Sequence, residues 1–208
     1  MIRHLLIDYG EVISTPLPEE TITDLAALAS RPRAAFLEGY WHHRPAYDLG
    51  QPDTEYWSQV LDRDLSGSPR IVEQLTNIDV YGWLRLNPRT LPALLGHARR
   101  TGTQMALLSN APEPLAQGID VLGWSQNFGR RYYSCRLGAA KPDPRVFQLV
   151  LRDLDVQPGE VLFIDDRAEN THAARELGMR TITFTSARAL DRELHRITRP
   201  GQRALGRA

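Results

Sequence analysis

A single cysteine, Cys135, stands in 208 residues, so no internal disulfide braces the chain and no cysteine-based zinc site can form. No apolar run approaches the length needed to span a bilayer. The N-terminus runs straight into a strand carrying His4 and Asp8 and lacks the apolar core of a signal peptide, so the expected location is the cytoplasm. Charge of one sign is missing too. Lys plus Arg and Asp plus Glu number 25 each, which leaves no global field to attract nucleic acid or an acidic membrane. Lysine is scarce against arginine, internal repeats are absent, and no segment is of low complexity. What remains is ordinary for a globular chain: 42% apolar and 24% charged residues, enough to bury a core as one domain with room for an insertion.

The first dozen residues organise the rest. Ile2 to Ile7 reads as a short buried strand that ends on Asp8, with Tyr9-Gly10-Glu11-Val12 following. From Pro18 to about Trp83 the apolar spacing is helical only, with Ile22, Leu25 and Ala26 on a first helix and a second helix starting near Pro32. The Tyr47-to-Pro52 stretch reads as a turn, before a helix holding Tyr56, Trp57, Val60 and Leu61 and a further one from about Pro69. Strands and helices then alternate. Gln104–Leu108 ends at Ser109-Asn110, Arg131–Cys135 alternates like a strand, and Val161–Ile164 ends at Asp165-Asp166. A final strand spans Arg180–Phe184 and a final helix Leu190–Ile197.

This pattern predicts an α/β fold: a Rossmann-like parallel sheet with helices on both faces, plus an inserted all-helical cap. The expected division is a core of residues 1–15 and 85–200, a cap of 16–84 and a flexible tail of 201–208. The inserted block is too long for an ordinary crossover.

Four polar stations follow from the strand order: Asp8, Ser109, Lys141 in Gly138–Pro144, and Asp165-Asp166. Carboxyl ends of parallel strands converge on one edge, where such sheets bind ligands. Taken singly, each residue reads as a turn former, a cap or a solvated charge. Taken together, adjacent carboxylates at the end of an apolar run call for a cation, and a hard divalent ion suits an all-oxygen site.

On Asp8 after its strand, Leu107-Leu108-Ser109-Asn110, Lys141-Pro142-Asp143-Pro144 and Phe163 to Asn170, the chain resembles the haloacid dehalogenase superfamily, in particular its phosphatases with a small helical cap. The resemblance implies an Asp8 nucleophile that forms an aspartyl-phosphate, Lys141 neutralising charge beside it, and phosphoryl oxygens held by Ser109 and the Asn110 backbone. It implies Mg2+ held by Asp8, the Gly10 carbonyl, Asp165 and Asp166. Asn170 stands between a supporting role and a helix cap.

The departure is Gly10, where phosphatases of this superfamily usually carry a second Asp that protonates the leaving group. General acid–base help of that kind is typically worth ~10²–10⁴-fold. Glu11 sits one residue late and reads as an exposed loop charge. In the cap, Trp41, His42, His43 and Arg44 form a polar and aromatic group, and Trp41, His42 and Arg44 are the expected substrate contacts. Adjacent histidines on a helix point in different directions, so His42-His43 is no metal motif.

The expectation is a magnesium-dependent phosphatase acting on a small phosphorylated metabolite, a sugar phosphate and particularly a sugar 1-phosphate. Two alternatives stand beside it: a phosphate-binding or regulatory protein with little turnover, motivated by Gly10, and a 2-haloacid dehalogenase. The expected partner is a small phosphate ester rather than nucleic acid or membrane, and the expected state a monomer or homodimer.

Overall fold

A computed structural model describes residues 1–198; the expected tail at 201–208 lies outside the described residues. In chain order the elements are β1 (His4–Ile7), α1 (Glu19–Leu28), α2 (Arg33–Asp48), α3 (Asp53–Leu61), α4 (Pro69–Trp83), α5 (Thr90–Thr101), β2 (Gln104–Ser109) and α6 (Glu113–Asp120). Then come β3 (Arg130–Tyr133), α7 (Ser134–Leu137), α8 (Pro144–Leu154), β4 (Val161–Asp165), α9 (Ala168–Glu176), β5 (Arg180–Thr183) and α10 (Ala187–Thr198). The five strands make one parallel sheet in the order β3-β2-β1-β4-β5. The chain therefore starts in the middle of the sheet and winds outward both ways. The switch of direction falls beside β1, which is where a ligand crevice opens in such sheets.

Strand side chains alternate between two faces, and both are covered. On one face Leu5, Ile7, Leu107 and Ile164 pack with Leu94 of α5, Leu115 and Ile119 of α6, and Leu190 and Leu194 of α10. On the other, Leu6, Leu108 and Phe163 pack with Val146, Phe147 and Val150 of α8 and Ala174 of α9. Burial on both sides is why these strands read as unbroken apolar runs. At about 25 cal/mol per Å² of apolar surface, it is the main force holding the sheet together. A third apolar cluster belongs to α1–α4 and includes Leu25, Phe36, Tyr40, Tyr56, Trp57 and Leu75, all shielded from solvent.

Two local expectations need correction. The turn expected from Tyr47 belongs to α2 as far as Asp48, although Pro45 lies inside the helix. Proline removes one helical donor and crowds the preceding turn. Here tertiary contacts carry the last turn: Tyr47 stacks on Tyr56 with ring centroids 4.0 Å apart, and Arg44 Nε donates to Asp48 Oδ1 at 2.7 Å. The helix stops two residues on, at Gly50, which takes φ +101°. The strand expected over Arg131–Cys135 runs Arg130–Tyr133, and Ser134 and Cys135 start α7.

Candidate active site

The carboxyl ends of β1, β2 and β4 lie side by side, so Asp8, Ser109 and Asp165 meet at one edge. Lys141 enters between them from the loop before α8. Its Nζ lies 2.6 Å from Asp8 Oδ1 and 2.7 Å from Asp165 Oδ2 and also donates to the Leu108 carbonyl at 3.0 Å. Lys141 is the sole lysine of the chain. Its side chain is 1% exposed, yet three oxygens satisfy it, the condition for burying an ammonium. Asn110 fixes the backbone there: its side-chain amide donates to the Lys141 carbonyl at 2.8 Å and accepts from the Lys141 N–H at 2.9 Å.

Both oxygens of Asp165 accept hydrogen bonds. Oδ1 accepts from Arg167 N and Asn170 Nδ2, both at 2.9 Å, and Oδ2 accepts from Lys141. Asn170 thus supports the site through Asp165, and its own Oδ1 is buried without a hydrogen-bond partner. Asp8 is half engaged: Oδ1 accepts from Tyr9 N at 2.7 Å and faces Lys141, while Oδ2 makes no hydrogen bond among the described residues.

One oxygen each from Asp8, Asp165 and Asp166 lie within 4.8 Å of one another. Three carboxylates crowd together beside one ammonium, which contacts two of them, Asp8 and Asp165. Burial pushes the Asp8 carboxyl up; Lys141 pulls against this, while Asp165 and Asp166 add to it. Burial and then Asp165 push Asp166 up. Burial alone would lower Lys141, but Asp8 and Asp165 reverse that and hold it above its ordinary value. The set is short of positive charge, and a hard divalent cation fits its all-oxygen donors.

The turn after β1 shows that position 10 does not require glycine. Gly10 is not in the left-handed region, and a Cβ placed on it would meet only Trp83 Cζ3 at 3.9 Å. The left-handed residue is Glu11, at φ +55°. Glu11 lines the cleft, and its carboxyl is pushed up by its surroundings and then by Asp166, with Arg167 pulling down.

The cleft holds about 150 Å³ and is lined by Asp8, Gly10, Glu11, Ser109, Asn110, Lys141 and Asp166 on the sheet side. Trp41, Arg44 and Asp48 of α2 and Trp83 of α4 face them. Of the α2 residues singled out in the sequence, Trp41 and Arg44 reach the cleft and His42 does not. His42 and His43 border a separate depression with Arg31, Glu38 and Gln59. Positions 41, 44 and 48 share a helix face, whereas 42 is turned about 100° from 41. Arg44 is no solvated charge: it is buried against Asp48, Asp79 and Tyr40. The sequence reading missed Asp48 and Trp83. The Arg44-to-Asp48 spacing was the available signal, hidden by reading Tyr47 to Pro52 as a turn.

The family model for haloacid dehalogenase-like hydrolases matches residues 5–178. A D-ribitol-5-phosphate phosphatase from Bacteroides thetaiotaomicron is 26% identical over 193 residues, covering 87% of this chain and 91% of that protein. Bifunctional epoxide hydrolase 2 from Rattus norvegicus is 39% identical over 74 residues, 36% of this chain, and the match spans only 13% of that protein's length. Among solved structures, the HAD family enzyme bt-2542 from Bacteroides thetaiotaomicron, in complex with magnesium and inorganic phosphate, superposes with a TM-score of 0.70 at 24% identity. That superposition covers 89% of this chain and 95% of the other. A 2-haloacid dehalogenase from Pseudomonas syringae pv. Tomato superposes at 0.66 with 18% identity, covering 88% of this chain and 86% of the other. At those identities the two superpositions establish the fold.

Proposed function

The chain belongs to the haloacid dehalogenase-like hydrolases, and from that premise we propose that it is a magnesium-dependent phosphatase of small phosphate esters, a sugar or polyol phosphate foremost. The observation that carries the reading is the convergence of Asp8, Asp165 and Asp166 within 4.8 Å around one buried lysine. Phosphoryl transfer asks for that combination: a nucleophile held in place and positive charge around the equatorial oxygens. The relative named D-ribitol-5-phosphate phosphatase supports the ester class, and a cleft of about 150 Å³ suits a small leaving group.

Asp8 presents Oδ2 to phosphorus while Tyr9 N and Lys141 hold Oδ1. The new P–O bond forms as the ester P–O bond breaks, giving an aspartyl-phosphate and an alkoxide that takes its proton from water to leave as the alcohol. Water then attacks the phosphorus, the Asp8 O–P bond breaks, and inorganic phosphate leaves with Asp8 regenerated. Ser109 Oγ and the Asn110 N–H bind phosphoryl oxygens, and Asn110's side chain fixes the lysine loop. Asp8, Asp166 and the Gly10 carbonyl would hold the metal, with Asp165 contributing and anchoring Lys141. When bound, the ion would supply positive charge to the phosphoryl oxygens in addition to that of the lysine. α1–α4, within residues 16–84, act as a cap whose α2 face meets the leaving group.

The setting is the cytoplasm, and no described helix is long and apolar enough to cross a membrane. Gly10 favours the second reading, a phosphate-binding protein with little turnover. A phosphate-release screen over phosphorylated metabolites, with and without magnesium, decides between them. The Asp8→Asn variant should melt normally and release no phosphate. Near-native release by that variant, or release in chelator that matches release in magnesium, removes the mechanism.

A further inference from the structure

The helical wall of the cleft carries one cation, Arg44, and that cation is already spent. Its Nε donates to Asp48 Oδ1 at 2.7 Å, and Nη1 donates to the Tyr40 hydroxyl and lies 3.4 Å from Asp79 Oδ2. The guanidinium lies 5.4, 5.8 and 5.6 Å from the ring centroids of Tyr40, Tyr47 and Trp83, and its side chain is 7% exposed. Two carboxylates thus surround one guanidinium. With both ionised the group is negative, and with one proton shared it is neutral. In neither state does it offer net positive charge to a ligand.

Asp48 is the acidic member that reaches the cleft. Its Oδ1 is taken by Arg44, and its Oδ2 has no hydrogen bond among the described residues. Its backbone is pinned to the sheet side: Ser134 Oγ donates to the Asp48 carbonyl and accepts from Ala111 N at 3.0 Å. Asp48 therefore keeps its place relative to the phosphate end. Beside it Trp41 is half exposed and packs edge-on to Trp83, with centroids 6.4 Å apart. The other cations of the lining are also matched, Lys141 by Asp8 and Asp165, and Arg167 by Glu169 at the exposed rim.

Resting on the phosphatase reading above, we propose that Asp48 is a specificity-determining residue that accepts a hydroxyl of a neutral leaving group and rejects a leaving group bearing a second anion. The cleft then takes polyol and sugar monophosphates and refuses phosphorylated acids and bisphosphates. A carboxylate buried without a free cation to meet it is unfavourable, and beside a second carboxylate it is repelled.

The test uses two competitors of one carbon skeleton, glycerol 3-phosphate and 3-phosphoglycerate, against hydrolysis of 4-nitrophenyl phosphate in excess magnesium at low salt. Like charges a few ångströms apart at intermediate dielectric discriminate by on the order of 10²-fold, so the acid's Ki should exceed the polyol's by that factor. Asp48→Asn keeps an acceptor for Arg44 Nε and removes the charge, so the ratio should fall below about tenfold. A residue that only braced the helix would move both Ki values together. Comparable Ki values in the wild type, an unchanged ratio in the variant, or no inhibition by glycerol 3-phosphate overturns the proposal. If the variant fails to fold, the wild-type ratio at low and high salt decides: it must shrink as salt screens the repulsion, and a ratio indifferent to salt overturns it. No hydrolysis of the aryl ester overturns the phosphatase reading and this proposal with it.

Discussion

Gly10→Asp places a carboxylate where similar phosphatases carry their second aspartate, and the backbone accepts it. The position needs no left-handed φ, and the nearest atom to a new Cβ is Trp83 Cζ3 at 3.9 Å, an ordinary contact. Replacing glycine at such a position costs little and can stabilise by ~0.4–1 kcal/mol through the unfolded chain. In the wild type no aspartate at position 10 protonates the departing oxygen, so the rate should fall steeply as the leaving group becomes more basic. A positioned acid is worth ~10²–10⁴-fold. The new carboxylate also joins Asp8 and Asp166 in a crowded anionic site, where one like-charge contact at ~5 Å costs ~3 kcal/mol at an effective dielectric of 20, an effect that bound metal largely offsets. The net expectation is a gain of ~10–10²-fold on alkyl phosphates and little change on aryl phosphates that leave unaided. Sugar 1-phosphates, whose anomeric oxygen leaves well, should lead 6-phosphates in the wild type and lose that lead in the variant. The assay is phosphate release across alkyl, sugar and aryl esters, with log rate plotted against leaving-group pKa. A folded variant with the wild-type slope refutes the reasoning. A flat wild-type slope also refutes it and points to Glu11, which lines the same cleft, as the proton donor.

Asp166→Ala should raise the magnesium needed for half-maximal rate at least tenfold, about 1.4 kcal/mol of binding, while leaving the Lys141 contacts with Asp8 and Asp165 in place; an unchanged magnesium titration would refute this. The pH dependence follows from Asp8 and Asp166, both held above the ordinary carboxylate range. Groups raised on folding stabilise the metal-free protein fully below their unfolded values, and that stability is lost as pH climbs through their folded values. Magnesium takes the proton's place, so the rise in melting temperature on adding it should grow from about pH 6 to about pH 8; a rise that is constant or shrinks over that window contradicts the assignment. Arg44→Met leaves Asp48 and Asp79 buried without their cation and should cost ~3–5 kcal/mol in urea unfolding. A loss under ~1 kcal/mol would mean that the pair protonates freely.

The sheet was legible because its central strands are covered on both faces. Leu5–Ile7, Ala106–Leu108 and Val161–Ile164 have no polar side to present, so each shows as an apolar run that stops at its polar residue. Those stops brought Asp8, Ser109 and Asp165 to one edge, and a sheet that starts in its middle needs no further information to align them. The helical wall was less legible. A proline normally ends a helix, and nothing local says that Tyr47 will find the face of Tyr56 or that Arg44 will be buried between two carboxylates. Asp48 was lost with that turn. His42 failed for a simpler reason: neighbours on a helix share a sequence neighbourhood but not a direction. The room at Gly10 could not be read either, because whether a turn needs glycine depends on which of its residues is left-handed, and here that residue is Glu11.

The lone lysine makes this molecule its own reporter. Apart from the N-terminus, the chain's single amine is Lys141 Nζ, packed between Asp8, Asp165 and the Leu108 carbonyl. An amine-directed reagent has no surface lysines to consume it, so acylation beyond that of the N-terminus, read as a second mass increment, counts openings of the site. Coupling through amines will tether the folded protein by its N-terminus alone, in one orientation. Isotopic labelling with lysine places a single side-chain ammonium signal in the spectrum, at the point where nucleophile, phosphate and metal would meet. Each arriving ligand should shift that one resonance, with no assignment to make.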